Sequence, residues 1–281
     1  MTTQLALQRL APVQAASWGH PHTTSLPALD IFLSAELFEP PDGQAHYTEK
    51  LVRLPNLGVC VRALSPTPQI PNLEALGLPS SEPLLLCPGM PFKYSPVDDD
   101  VWVGLGAYLQ TQGSGRLVFF RGPRVGMSQQ LEQRLRRAFG RAGVDFDRTV
   151  TFIPSLTREL FYGLMHCASV MLDTIGFSGF NTAIQSLECG LPVIAFEGEF
   201  MRGRLASGLL RRMGLDDWVA ATHSAFAGLA IRLIADESLG LELRRQIAQR
   251  RTILFNDLTP VWALEQVLLD AVAVRSQSDQ P

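Results

Sequence analysis

SVMLDTIGFSGFNTAIQSLECGLPVIAFEGE, residues 169–199, decides how the chain is read. Residues 169–172 form an apolar run that ends on Asp173. A loop with glycines at 176 and 179 follows, a helix-patterned segment begins near Phe180, and 191–196 returns as a second apolar run. Parallel strands need a long crossover between them, usually helical, and this stretch has the pattern of such a βαβ unit. A helix starting near Phe180 turns its unpaired N–H groups and the positive end of its dipole toward the loop, which suits an anion. Gly176 and Gly179 let a ligand approach the backbone, and Ser178, Asn181 and Thr182 add short polar groups. A phosphate or diphosphate is the natural occupant. The same residues also read as a helix capped by Ser178 or Asn181 behind a glycine turn, and two glycines outside a G-x-G-x-x-G pattern do not choose between the two readings.

Outward from this unit the alternation continues. Apolar runs at 83–87, 116–120, 149–153, 169–173, 191–196 and 217–220 are separated by helix-patterned segments at 97–110, 128–143, 157–168, 180–189 and 200–214. Strands alternating with helices predict an α/β fold built on a doubly wound parallel sheet, whose ligands bind at the carboxyl ends of the strands. Two closing helices are expected at 237–253 and 259–274. The first 65 residues differ: a helix in LALQRLA, apolar runs VQAASW (13–18) and LDIFLS (29–34), a helix around HYTEKLV and a further run at 58–64. The proline- and serine-rich stretch up to residue 82 reads as a linker. The expected division is a small unit 1–65, a linker 66–82, the α/β lobe 83–256, and a closing helix and tail 257–281.

With 46% hydrophobic residues and a net charge of −3, the chain has apolar content for large cores and no basic excess calling for nucleic acid. Four cysteines far apart, with no metal-ligand spacing, read as reduced thiols of a cytoplasmic protein. The start lacks a secretory pattern and no apolar run approaches ~20 residues, so no membrane partner is expected.

Other loops carry candidate chemistry. CPGMPFKYSP brings Lys93, one of very few lysines, to the end of the strand at 83–87, where a cation can pair with phosphate; a solvated surface lysine is the plainer reading. PSLTR offers Arg158 at another strand end, as a nucleotide contact or a surface charge. His20 and His22, in GHPHTTS, are placed to act as bases or to orient an acceptor, or are simply exposed. The run Asp98-Asp99-Asp100 after Pro96 reads as first-turn acids of a helix, and no metal is expected.

These motifs in order, RLAPVQAASWGHPHTT, HYTEKLVRLPN, PGMPFKYSP and TVTFIPSLTRELFYGLMHCASVMLDTIGFSGFNTAIQSLECGLPVIAFEGE, then RGRLASGLLRRMGLDDWVA, resemble the catalytic region of the O-linked N-acetylglucosamine transferases, the SPINDLY-type transferases and the bacterial cytoplasmic N-glycosyltransferases. The resemblance runs from about residue 7 to 260. It implies a GT-B arrangement in which a Rossmann-like C-terminal lobe holds a nucleoside diphosphate sugar, UDP-linked, as donor substrate, with no cofactor. It implies inverting, metal-independent transfer of N-acetylglucosamine or another hexose to a protein side chain. By position, Lys93 matches the lysine on the donor diphosphate, Gly179 to Thr182 the segment on phosphate and ribose, and His20 the histidine of a GHPxTT loop near the acceptor. Gln185 stands where the family places a ribose-gripping aspartate, with Glu188 one turn on, and Phe161 stands where the O-linked enzymes have a histidine. Residues 1–65 are fewer than a Rossmann-like lobe needs, so they are expected to be a truncated remnant of the N-terminal lobe. That remnant would leave an apolar face at 13–18 and 29–34 for a partner chain or a second copy. A non-catalytic nucleotide-sugar-binding or scaffold protein is the alternative.

Overall fold

The computed structural model describes residues 2–278. The N-terminal unit contains α1 (Thr2–Ala6), β1 (Ala15–Ser17), β2 (Ile31–Ala35) and β3 (Lys50–Leu54). Its strands form a parallel sheet in the order β1-β2-β3, with Phe32 beside Leu51 and Leu33 beside Val52.

The large lobe follows in chain order: β4 (Leu84–Cys87), α2 (Asp99–Gln112), β5 (Arg116–Phe120), α3 (Val125–Arg141), α4 (Phe146–Thr149) and β6 (Val150–Ile153). Then come α5 (Arg158–Cys167), β7 (Val170–Leu172), α6 (Phe180–Glu188), β8 (Val193–Phe196), α7 (Leu205–Arg212) and β9 (Val219–Ala220). The chain closes with α8 (His223–Ala235), α9 (Glu237–Arg250) and α10 (Thr259–Ser278). All six strands run parallel in the order β6-β5-β4-β7-β8-β9. Strands β4, β7 and β8 are buried almost throughout, as strands covered by helices on both faces must be. The order reverses between β4 and β7, and at such a switch point a doubly wound sheet opens a crevice outside its strand ends.

All six expected strands of this lobe form, with small shifts at their ends. Helix α8 has no counterpart among the expected segments. Its sequence HSAFAGLAIRLIA is apolar around most of its circumference, so no polar stripe marks it as a helix, although Phe226, Ala230 and Leu233 are buried in the core.

The N-terminal unit corrects three expectations. The helix expected around HYTEKLV is a strand start: Gly43–His46 is one 3-10 turn and β3 begins at Lys50. Glu49, 3% exposed, explains the change. Its carboxylate accepts from the Thr23 hydroxyl at 2.6 Å, the Thr24 N–H at 2.8 Å, the Thr24 hydroxyl and the Thr48 hydroxyl. A helix here would carry that side chain away from the loop it holds. Burial pushes the Glu49 carboxyl up, but the bonds from Thr23 and Thr24 outweigh it and bring it down to about 2. Second, 58–64 is not a strand; Val59 and Val61 lean on the main core, and the Val61 carbonyl accepts from the Asn256 N–H at 2.7 Å.

The third correction concerns the apolar face expected at 29–34. Ile31, Leu33 and Leu54 are buried against Ala263, Leu264, Val267 and Ala271 of α10. The opposite face, through Phe32, merges with the core of the large lobe. Trp18, Phe38 and Phe180 join the two units edge to face, with ring centroids 5.0–5.9 Å apart. The linker segment is also laid down on the lobe. The Gln69 N–H donates to the Glu159 carbonyl at 3.0 Å, and Pro71 and Leu78 are buried. At Gly163 the approach is so close that a Cβ would stand 1.9 Å from the Gln69 carbonyl oxygen. No described helix is long and apolar enough to cross a membrane.

Two outcomes are expected. Gly163→Ala, favoured by helix propensity alone, is expected to cost about 1–3 kcal/mol because it overpacks the linker seat; a urea midpoint that holds or rises would remove that seat. Glu49 has a folded pKa below its unfolded value, so its contribution is complete above the unfolded value and fades as pH falls toward 2. Glu49→Gln is expected to lower stability by about 1–3 kcal/mol at neutral pH, with the gap from the parent narrowing in urea titrations below pH ~4.5. A gap constant down to pH ~3 would separate the charge from the clamp.

Candidate active site

The site grows from the carboxyl ends of β4 and β7. After β4 the chain passes Gly89 and makes a 3-10 turn at Pro91–Lys93. The buried Tyr94 fixes this turn: its hydroxyl donates to the Cys87 carbonyl at 2.6 Å and accepts from the Gly89 N–H at 3.1 Å. Arg134 of α3 holds the Tyr94 carbonyl at 2.9 Å while its guanidinium pairs with Asp99. With its base fixed, Lys93 reaches across to the loop after β7, donating from Nζ to the Ser178 carbonyl at 2.9 Å with Nζ 4.5 Å from the centre of the Phe177 ring. Burial pulls the Lys93 pKa down and the Asp173 charge opposes it.

Asp173 organises the other side. It is 1% exposed, accepting from the Ser178 hydroxyl at 2.5 Å and the Gly179 N–H at 2.9 Å. Burial raises its pKa to about 6 against those bonds and the nearby Lys93 charge. Ser178, also buried, accepts from the Ala206 N–H at the start of α7 at 2.8 Å. The Ser178 hydroxyl is therefore spent inside the scaffold, and what it presents to the cleft is its loop. Gly179 is the N-cap of α6 in extended conformation, with no side chain capping the helix. A Cβ there would lie 2.4 Å from the Thr182 hydroxyl oxygen. Of the two readings of this helix start, the self-capped one is not what the structure shows: neither Ser178 nor Asn181 caps it, and the first N–H groups of α6 have no intrahelical acceptor.

Three cavities lie around these loops, two of them sharing Lys93 and Phe177. One of about 620 Å³ lies between the units, lined by Trp18, Gly19 and Pro21 on one side and by Lys93 and residues 177–182 on the other. It brings together Lys93, Ser178, Gly179, Asn181 and Thr182. A second, of about 330 Å³, places Arg158 and Gln185 together with Ser155, Arg121 and Phe161. Gln185 thus sits one helical turn beyond the start of α6 and beside Arg158, whose side chain is exposed. A third, of about 860 Å³, shares Lys93 and Phe177 with the first and extends over α3. His20 is exposed, its ring 5.3 Å from that of His22. His22 borders the third cavity, and its Nδ1 lies 3.3 Å from the Arg202 guanidinium. Burial, then the Arg202 charge and the His20 ring, lower the His22 pKa.

The aspartate run divides by partner. Asp98 pairs with His223 at 3.0 Å and Asp99 with Arg134, while Asp100 is exposed. Asp173 and Glu49 are structural residues that no functional motif in the sequence singles out. An acid ending an apolar strand run, five residues before a serine, is a readable sign of a buried carboxylate. The partners of Glu49, Thr23 and Thr24, stand about 25 residues away, and no local pattern links them. A cation, an uncapped helix start and short polar side chains facing one cleft can bind a diphosphate and offset charge on it as it leaves.

The sequence and fold have relatives. The glycosyl transferase family 41 model matches residues 92–259, more than half of the chain. The probable UDP-N-acetylglucosamine--peptide N-acetylglucosaminyltransferase SPINDLY of Oryza sativa is 28% identical over 249 residues, covering 85% of this chain and 25% of its own length. The UDP-glucose:protein N-beta-glucosyltransferase of Actinobacillus pleuropneumoniae is 24% identical over 259 residues, covering 89% and 39%. The chain thus spans about a quarter of the length of the SPINDLY relatives it matches. Among solved structures, a mutant Thermobaculum terrenum O-GlcNAc transferase superposes with a TM-score of 0.76 at 26% identity, over 96% of this chain and 50% of that one. Sucrose-phosphate synthase from Thermosynechococcus elongatus shares the fold with a TM-score of 0.56 at 18% identity, over 88% and 59%. These neighbours are GT-B glycosyltransferases, and the parallel-sheet lobe described above is the Rossmann-like lobe of that architecture. On the family match and the fold together, the chain belongs to glycosyl transferase family 41.

Proposed function

We propose that the chain transfers a sugar from a nucleoside diphosphate to a protein side chain, without a metal and with inversion at the anomeric carbon. The observation that carries this reading is the placement of the Lys93 ammonium, 2.9 Å from the Ser178 carbonyl, beside the uncapped start of α6. The diphosphate lies between Lys93 and the α6 N–H groups, with Asn181 and Thr182 at its edge, and the nucleoside extends toward Gln185, Arg158 and Phe161. Lys93 and the helix start stabilise the leaving diphosphate, while the acceptor attacks from the side of His20 and His22. The names of the relatives favour uridine as the base and N-acetylglucosamine or glucose as the sugar. Gln185 bonds a ribose hydroxyl without the charge an aspartate would add, and that substitution is what favours the second reading, a nucleotide-sugar-binding protein without turnover. Four unpaired cysteines fit a reducing, cytoplasmic setting.

Calorimetry with uridine and guanosine diphosphates tests the donor site. Uridine diphosphate is expected to bind in the micromolar range and guanosine diphosphate more weakly; no heat from either at millimolar concentration defeats the reading. Lys93→Ala is expected to weaken that binding about 10- to 100-fold, the equivalent of about 1–3 kcal/mol, with an unchanged urea midpoint. Equal affinity in parent and variant would take Lys93 out of the site.

A further inference from the structure

The cavity of about 860 Å³ is larger than the donor reading uses. It shares only Lys93 and Phe177 with the cavity between the units. Those two residues form a partition: a donor diphosphate held by Lys93 and the α6 start fills one side and leaves the other open. The open side has its own chemistry. Its apolar wall includes Phe92, 55% exposed, Val97, 77% exposed, and Met127. Its charges come from Lys93, Arg134, Arg137 and Arg202, against Asp98 as the only acid lining it among the described residues. Arg134 is paired with Asp99, so that charge is matched internally, and Asp98 is hydrogen-bonded to His223. Arg137 and Arg202 have no carboxylate partner among the described residues. Arg137 donates only to the Gln133 carbonyl of its own helix, and Arg202 stands against the Phe200 ring and His22. In a chain of net charge −3, a surplus of positive charge collected in one cavity is a local feature that complements a negative ligand.

We infer that this cavity is the seat of the acceptor segment, and that it selects an extended peptide carrying aspartate or glutamate beside an apolar residue. The inference rests on the donor reading above, since it is the donor at Lys93 that leaves this side for the acceptor. Arg137 on α3 and Arg202 in the turn after β8 stand on different walls. Carboxylates spaced along an extended segment reach both, while an apolar side chain rests on Phe92 and Phe177.

The test is fluorescence anisotropy of a labelled dodecapeptide containing serine, phenylalanine and several Asp and Glu residues, against the same peptide with lysines in place of the acids. The acidic peptide is expected to bind at least about tenfold more tightly at low ionic strength and to lose that advantage as salt is raised. The advantage is also expected to vanish in the Arg137→Ala, Arg202→Ala double variant. Should the double variant fail to fold, Arg137→Glu alone, exposed on α3, is expected to reverse the preference. Equal binding of the two peptides, binding of neither, or a preference that survives these variants overturns the inference. So does full displacement of the acidic peptide by inorganic phosphate at matched ionic strength, which would reduce the cavity to a simple anion site. Uridine diphosphate titrated into the same samples reports on the donor cleft alone, so failure there is not mistaken for failure of the peptide seat.

Discussion

The buried carboxylate of Asp173 is the constraint on which the site depends. One oxygen takes the Ser178 hydroxyl and the other the Gly179 N–H. Ser178 in turn ties down the first turn of α7 and offers its carbonyl to Lys93. Four elements, β7, α6, α7 and the loop after β4, are thus referred to one side chain. A charged group taken out of water is costly unless its bonds are made, and here every bond that settles Asp173 also fixes a wall of the cleft. The raised pKa records the tension: burial outweighs the bonds that favour the charged form. Gln185 stands one turn beyond the part of α6 that Asp173 holds. The start of α6 is thus built into the scaffold.

The facing side of the cleft is held by a second buried carboxylate. Glu49 gathers Thr23, Thr24 and Thr48, and the loop so held carries Gly19, Pro21 and His22 to the cavities. Aromatic rings do the rest: Trp18 and Phe38 meet Phe180, the first residue of α6. Helix α6 is therefore positioned from both units at once, through Asp173, which holds the N–H of Gly179 before its first turn, and through its first side chain by Trp18 and Phe38.

Much of the large lobe was legible because its signals are local. Each of its strands is a short apolar run between turn residues, and Lys93, Gly179 and Thr182 fall at strand ends where such a fold binds ligands. The N-terminal unit was less legible for a reason that particular residues show. Tyr47 and Leu51, four apart, imitate a helix face, but pairing with β2 and the commitment of Glu49 to the loop make this a strand start. Val59 and Val61 alternate like a strand, but they lean on the main core and the Val61 carbonyl is taken by the Asn256 N–H instead of a neighbouring strand. His22 meets Arg202 180 residues away, and no local pattern reports that contact. The cover over Ile31 and Leu33 comes from Leu264 and Val267, and no periodicity reports a contact across more than two hundred residues.

That last contact also sets an order of events. The sheet built from the first strands is closed on one face by the last helix, so on a ribosome Ile31, Leu33 and Leu54 emerge long before α10 exists to cover them. The large lobe, whose strands and crossovers are neighbours in sequence, is able to condense first, while the N-terminal sheet waits with one face bare until α10 has been made. Contacts of such separation are slow to form and leave apolar surface exposed meanwhile. The interval between translation of Leu54 and release of α10 is the stage of this protein's life at which a chaperone, or a wrong partner, has the most to hold.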